Sequence, residues 1–428
     1  MTTAITPRSL DEDLLEPDKP TKPWFSPEKR WALFAVTGVA ILSITRVLSG
    51  ATDLTSSGLT TETLRLTVPF ALAALGGLFS ERAGVVNIGL EGMMILGTWF
   101  GAYGGWHWGV WGGLAFGMLG GALGGGLHAT ATVIFKVDHI ISGVAINLLA
   151  PGLCRYLSAA VYANVGEGAG VRQSPPVSGD FPTITIWPLS NALGSIEEHH
   201  WFFISDAAGM ARGLITDLSL FTLGAIFLVP IIWWILWRTT FGLRLRSVGE
   251  SPWASESVGV KVIRTKFIAV VISGLLAGMA GVFIVTVTTS TYSEGQTSGR
   301  GYIALAALIF GNWRPVSAVG AATLFGYSDA VRLRGASGVA VHAFLLSGAI
   351  ATALVAIVAA IQGRRKNAIM SGLVSAGLLI WYLTTQTLPK EFLPYTPHIV
   401  TLVVAATALR KLRMPKALGI PFRRGEAQ

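Results

Sequence analysis

A chain of 428 residues that is 52% hydrophobic and 13% charged, with 51 glycines and a mean hydropathy of +0.59, falls far below the roughly 25% charged residues of soluble domains, which excludes an ordinary soluble globule. The net charge of +9 invites a nucleic-acid partner, yet the basic residues sit at the ends of apolar runs rather than on one stripe, so none is expected. A single cysteine, Cys154, inside an apolar run excludes an internal disulfide and a cysteine metal cluster, and no metal or cofactor is expected.

The composition therefore predicts an all-α, polytopic helical membrane protein of about 10–12 spans. Residues 1–30 are polar, with prolines at 7, 17, 20, 23 and 27 and an acidic patch at Asp11, Glu12 and Asp13, and are expected to form a disordered tail. The apolar run that begins at Trp31 lacks a small-x-small cleavage site and reads as an uncleaved first span. Further apolar runs lie near 65–79, 86–104, 108–134, 139–163, 217–237, 266–289, 301–311, 315–330, 341–361, 368–385 and 396–409. The run at 301–311 is too short to cross; Gly299, Gly301 and Gly311 at its ends predict half of a broken helix or a re-entrant segment.

Counting every run as a crossing, 23 of the 32 basic residues fall in segments assigned to the inside and 7 in those assigned to the outside, with Arg46 and Arg155 within spans. That bias orients the transmembrane domain, 31–409, with both termini inside. It puts the long loop 164–216 outside, and 238–266 and the basic tail 410–428 inside.

Residues 80–97, Ser-Glu-Arg-Ala-Gly-Val-Val-Asn-Ile-Gly-Leu-Glu-Gly-Met-Met-Ile-Leu-Gly, insert polar groups between two membrane-length runs. Glu81 and Arg82 suit a tight turn at the membrane face. Asn87 and Glu91 lie within the following apolar run, where a polar group persists only if it packs against protein or lines a cavity. Arg155, beside Pro151, has two candidate solutions: a pair with Glu91, or snorkelling to the outer interface.

Glycines at 113, 117, 121 and 125 recur every fourth residue, and Gly274, Ala277, Gly278 and Gly281 repeat the device, which predicts close helix packing. Glu197, Glu198, His199 and His200 read as a solvated part of a structured outer cap rather than as a metal site, and His128, His139 and His342 as packing residues. Within 238–266, Ser251-Pro252 reads as an N-cap followed by a first-turn proline, Trp253 to Val258 as a short helix, and Gly259 as its end. A short helix held between basic strands just below the membrane suits docking on a cytoplasmic subunit.

Three stretches carry a resemblance: Glu-Arg-Ala-Gly-Val-Val-Asn-Ile-Gly-Leu-Glu-Gly-Met-Met at 81–94, Gly-Leu-Arg-Leu-Arg-Ser-Val-Gly-Glu-Ser-Pro-Trp-Ala-Ser-Glu-Ser-Val-Gly-Val at 242–260, and Leu-Arg-Met-Pro-Lys-Ala-Leu-Gly-Ile-Pro-Phe-Arg-Arg-Gly at 412–425. They resemble permease subunits of bacterial ABC importers for nucleosides and simple sugars, within the superfamily of ribose and branched-chain amino-acid permeases. The resemblance implies that 251–259 is the coupling helix of the ATPase-docking segment, with Arg246, Gly249, Glu250, Ser251, Pro252, Ala254, Glu256 and Gly259 at that contact. It implies that the segment from Asn87 through Glu91 to Met94 lines the solute path. It further implies a cytoplasmic ATPase, a second and related permease subunit, an external solute-binding protein or lipoprotein, and residence in a bacterial cell membrane.

No G-x-x-x-x-G-K-[ST] segment occurs, so the chain has no P-loop of its own. It also lacks H-E-x-x-H and G-x-S-x-G, and no enzymatic activity is expected. For the solute, Asn87, Asn147, Trp99 and Phe100 offer the amides and aromatics that a nucleoside requires. A sugar such as ribose would use the same residue types, so the preference for nucleosides rests on resemblance. An ion-gradient-driven secondary transporter is the rival of a different class.

Overall fold

A computed structural model describes residues 27–163, 165, 169–334, 339–386, 395–407 and 412–423. Most of the expected disordered tail, 1–26, and the ends of the basic tail at 410–411 and 424–428 lie outside the described residues. The first helix, α1 (Pro27–Ser49), begins a turn before the apolar run that announces it.

Helices α2 (Ser57–Arg82), α3 (Leu90–Ala129), α4 (His139–Val161), α7 (Leu220–Arg238), α10 (Val262–Phe283), α13 (Val339–Ile361) and α14 (Arg365–Thr384) follow along the chain. These seven are the helices, among the described residues, that are long and apolar enough to cross a bilayer. α12 (Pro315–Arg334), together with the shorter α11 (Arg300–Phe310) and α15 (Thr396–Thr407), completes an all-α, polytopic bundle. The long segment between α4 and α7 carries α5 (Trp187–Glu198), α6 (Ile204–Gly213) and a two-residue antiparallel pair, β1 (Thr183–Ile184) with β2 (Leu218–Ser219).

The 40 residues of α3 would extend about 60 Å as a straight rod, twice the thickness of a bilayer core. Instead α3 reverses at Trp108 and Gly109, where Gly109 has φ +69° and Trp108 φ −130°. The two arms fold back on each other: a Cβ on Gly113 would lie 2.8 Å from the Gly101 carbonyl, and one on Gly117 2.7 Å from that of Gly97. The two apolar runs read at 86–104 and 108–134 are thus the arms of one hairpin.

Both predicted small-residue faces meet in the centre. Gly121 packs against the Gly274 carbonyl and Gly278, and Gly97 against Gly278, with no room for a Cβ on either. Close backbone approach of this kind is how helices associate where the surrounding lipid is as apolar as the side chains. α2 runs through the middle, buried from Leu66 to Glu81, and carries Phe70, Leu72, Leu75 and Leu78 into the main core with Phe283, Leu308 and Phe325.

The bundle has two distinct ends. At one, Gly84, Gly249, Lys266, Asn312 and the 413–422 segment converge. At the other, Asp206 accepts from Thr55 and pairs with Arg46 at 2.8 Å, Glu197 caps the start of α2 through the Ser57 N–H at 2.8 Å, and Ser178 N–H reaches the Gly105 carbonyl at 3.1 Å. The segment around Glu197 to His200 is therefore structured over the helix ends, and Glu197, expected to be solvated, is instead half-buried and paired with Arg212 at 3.1 Å.

Candidate functional site

α2 ends where Gly84 enters the left-handed region at φ +85°, with its N–H on the Glu81 carbonyl and the Val85 N–H on that of Ser80. This C-terminal closure suits glycine and releases the chain into an unwound stretch, Val85 to Gly89, before α3 begins. The polar segment singled out in the sequence is thus a break between two membrane-length helices.

Glu91 sits in the first turn of α3 and is 6% exposed. Its carboxylate accepts from Thr297 Oγ1 at 2.7 Å, the Gly299 N–H at 2.9 Å and the Gly301 N–H at 2.6 Å. Those last two amides belong to the N-terminus of α11, so a carboxylate carried in the first turn of α3 closes the start of α11. Gly299, at φ +77°, makes the turn into α11. Gly301 allows the close approach, since a Cβ there would lie 2.6 Å from the Glu91 Cα. The 11 residues of α11 reach about 16 Å, half of a bilayer core, which confirms the short run at 301–311 as a half helix.

Asn147 on α4 joins the same junction. Its Oδ1 accepts from the Gly92 N–H at 2.7 Å, and its Nδ2 donates to the Ile88 carbonyl and to Tyr302 Oη, each at 3.0 Å. Asn87, fully buried, donates from Nδ2 to Ser273 Oγ on α10 at 2.8 Å, while its Oδ1 has no hydrogen-bond partner. Met94, one turn along α3, is buried in the main core, and its carbonyl meets Gly281. All four residues expected on the path therefore cluster where α3, α4, α10 and α11 meet. Thr297, Ser273 and Tyr302 complete the junction and were not singled out in the sequence; the signal available was their position beside the glycines at 299, 301 and 274.

Arg155 does not pair with Glu91. Its Nη1 lies 3.9 Å from Glu294, which also holds Arg172 at 3.3 Å, and the Arg155 side chain is 56% exposed. Of the two expected solutions the pair with Glu91 is not formed; the exposed guanidinium instead lies near a different carboxylate, Glu294. Nearby, Trp99 donates from Nε1 to Ser158 Oγ at 2.9 Å, stacks on Tyr103 at 5.6 Å and meets Phe100 edge-on at 5.1 Å. The two aromatics considered for a solute thus belong to a packed aromatic cluster.

Glu81 and Arg82 are more than a turn. Glu81 is buried, and its carboxylate accepts from Trp313 Nε1 and the Asn87 N–H. Arg82 donates from Nη2 to the Trp313 carbonyl at 2.6 Å and lies 5.5 Å over the Trp237 ring. Asn312 and Trp313 both have φ +53°, an unfavourable backbone that this clamp sustains between α11 and α12.

The 238–266 segment, expected to dock an ATPase, folds as α8 (Thr240–Glu250) and α9 (Pro252–Ser257). Ser251 takes the N-cap backbone position with Pro252 first in the helix, although the Ser251 side chain makes no cap bond. Gly259, at φ +85°, donates to the Glu256 carbonyl at 2.9 Å and Val260 to that of Ser255 at 3.0 Å, so the predicted end of the helix is closed by a glycine motif. The expected basic strand before it is instead α8, an amphipathic helix that buries Leu245, Val248 and Gly249 at a spacing of three to four. Glu250, Ser251, Ala254 and Gly259 are exposed, Arg246 and Glu256 half-buried, and Pro252 buried. Arg246 lies 5.5 Å over the Trp237 ring, and Gly249 packs on the Arg82 carbonyl with no space for a side chain.

Residues 59–340 match the family described as branched-chain amino acid transport system / permease component. The chain is 32% identical over 373 residues to the guanosine ABC transporter permease protein NupQ of Bacillus subtilis, covering 85% of this chain and 96% of that protein. It is 31% identical over 370 residues to the nucleoside ABC transporter permease protein NupC of Lactococcus lactis, covering 83% and 93%. It is 34% identical over 286 residues to the putative glucose ABC transporter permease protein TsgC13 of Haloferax volcanii, covering 66% and 79%. No solved structure matches the chain. This multi-pass membrane protein belongs to the branched-chain amino acid transport system permease family of ABC transporters, as a permease component rather than an enzyme.

Proposed function

We propose that the chain is the membrane-spanning subunit of an ATP-driven importer of nucleosides in a bacterial cell membrane. It works with a cytoplasmic ATPase dimer, a second and related permease subunit and an external solute-binding protein or lipoprotein. The basic end, with α8 and α9, faces the cytoplasm, and the α5–α6 cap faces outside. α9 is the coupling helix, and Asn87, Glu91, Met94 and Asn147 form the junction past which the solute moves.

One observation carries the mechanism. Gly249, at the hinge into α9, rests on the Arg82 carbonyl and lies beside Gly84, at the start of the unwound segment that holds Asn87 and leads to Glu91. A push on α9 by the ATPase therefore arrives directly at the break between α2 and α3. The half helix α11 supplies the movable partner, because its N-terminus is attached to α3 through the Glu91 carboxylate. Discontinuous helices whose ends meet at depth are a common way to build a solute path.

The nucleoside assignment is supported by two relatives named for guanosine and nucleosides that align over more than four-fifths of the chain. A simple sugar is the second reading, favoured by the similarity to the putative glucose permease. The test is uptake of a radiolabelled purine nucleoside by a host lacking other nucleoside transporters, with the ATPase, partner permease and binding protein co-expressed. Uptake that resists excess ribose and glucose supports nucleosides; competition by either sugar reassigns the solute. Uptake that persists without the ATPase and collapses with an ionophore indicates a secondary transporter instead.

A further inference from the structure

The 413–423 segment looks from its charge like a simple topology tail, but its basic residues Arg413, Lys416 and Arg423 are exposed while Pro415, Ala417 and Phe422 are buried. Its backbone fastens to three separate helix junctions. The Arg413 N–H donates to Asn312 Oδ1 at 2.6 Å, in the turn between α11 and α12. The Ala417 N–H donates to the Gly249 carbonyl at 2.9 Å, at the hinge between α8 and α9. The Gly419 N–H donates to the Gly84 carbonyl at 3.2 Å, at the break between α2 and α3.

Beyond these, Phe422 buries itself with Val248 and Val262 and meets the Trp253 ring of α9 at 5.8 Å. Packing at Gly84 is close: a Cβ there would lie 3.0 Å from the Ala417 carbonyl and 3.4 Å from the Gly249 Cα. Gly419 itself adopts φ +81°, which the turn needs to aim its N–H at Gly84.

We propose that residues 413–422 are a positioning strap that makes α9, the α2–α3 break and the α11–α12 turn move as one body, so that displacement of the coupling helix reaches the Glu91 junction. This rests on the import function proposed above. Without the strap, α9 is still present to receive the ATPase, but its motion reaches the α2–α3 break only through the packing of the α8–α9 hinge, where Gly249 meets the Arg82 carbonyl and Gly84, and not through a covalently continuous segment bonded to all three turns. Hydrolysis then continues while transport slips.

The test uses the purified complex in proteoliposomes and compares the full chain with Phe422→Ala, Phe422→Leu, Asn312→Gly and a chain ending at Leu412. Asn312→Gly removes the acceptor for Arg413 while preserving a backbone that glycine adopts freely. The expected result is unchanged co-purification of the ATPase and near-normal ATP hydrolysis. Solute moved per ATP falls at least about fivefold for Phe422→Ala and the truncation, less for Asn312→Gly, with partial recovery in Phe422→Leu.

An unchanged ratio in the point variants, beside an active full-length complex, overturns the strap alone. Loss of the ATPase from inserted variants also overturns it, since the segment would then be part of the docking surface. If the truncated chain fails to insert, the point variants decide. A full-length complex with no ATP-dependent uptake overturns the strap together with the import reading.

Discussion

The Glu91 carboxylate accepts the Gly301 N–H at 2.6 Å, joining the first turn of α3 to the first turn of α11 across 210 residues of sequence. Because the same side chain also takes the Gly299 N–H and Thr297 Oγ1, Glu91→Ala removes the acceptor of three donors, two of them buried. Hydrogen bonds to a charged group are each worth about 1.5–3 kcal/mol. Glu91→Ala is therefore expected to lower the thermal midpoint of the solubilised protein by several degrees and to abolish uptake. Glu91→Gln retains an acceptor oxygen and should fall between the two. A Glu91→Ala protein as stable as the parent contradicts the junction.

Asn87 should behave differently. Its Nδ2 bonds Ser273 Oγ at 2.8 Å and makes a weak contact to Met93 Sδ at 3.5 Å, but its Oδ1 is unpaired, so Asn87→Leu removes one strong hydrogen bond and relieves one unsatisfied acceptor. The expected stability change is within about 1 kcal/mol, while uptake drops sharply and the ATPase still co-purifies. If stability and ATPase association fail together, Asn87 is a packing residue and not part of the path.

The proposed docking role of α9 gives a prediction about assembly. Ala254 on α9 and Val258 at its C-cap are exposed, Val258 to 77%, whereas Trp253 packs on Phe422. The double substitution Ala254→Arg, Val258→Glu should leave the thermal midpoint of the isolated permease unchanged and remove the ATPase from a pull-down. Retention of the ATPase would move the docking surface elsewhere.

The helix packing separates two glycines on one arm of α3. Gly121 faces Gly274 and Gly278 with no space for a Cβ, whereas nothing lies within 4 Å of the Cβ position at Gly126. Gly121→Val should prevent accumulation of folded protein, since forced overpacking costs about 1–3 kcal/mol or more. Gly126→Ala should be neutral or stabilising by up to about 1 kcal/mol. Size-exclusion profiles of the two variants check this; equal behaviour would contradict the central packing.

Much of this was legible in the sequence because it depends on local physics. The four-residue glycine spacing, the short run at 301–311 and the Pro252 to Gly259 pattern each constrain a single segment, and all three are seen. What was hidden depends on which segments become neighbours. Arg155 lies beside Glu294 because the C-terminal half of α4 meets the 290–299 loop, a proximity that no feature of 139–163 encodes. α8 was misread as a strand because its basic residues obscured the buried Leu245, Val248 and Gly249 at helical spacing. The 413–422 segment carried a family-like motif, but its attachment to Gly84, Gly249 and Asn312 exists only once three distant turns are brought to one end of the bundle.

The most direct measurement is guanosine accumulation in proteoliposomes that contain the permease pair and its ATPase, with the binding protein on the opposite side and ATP supplied to the ATPase face. An ATP-driven importer accumulates solute against its gradient only when ATP is hydrolysed, and a change to the ATPase's Walker lysine stops it. Accumulation that is indifferent to ATP, or that follows an imposed ion gradient, would contradict the assignment.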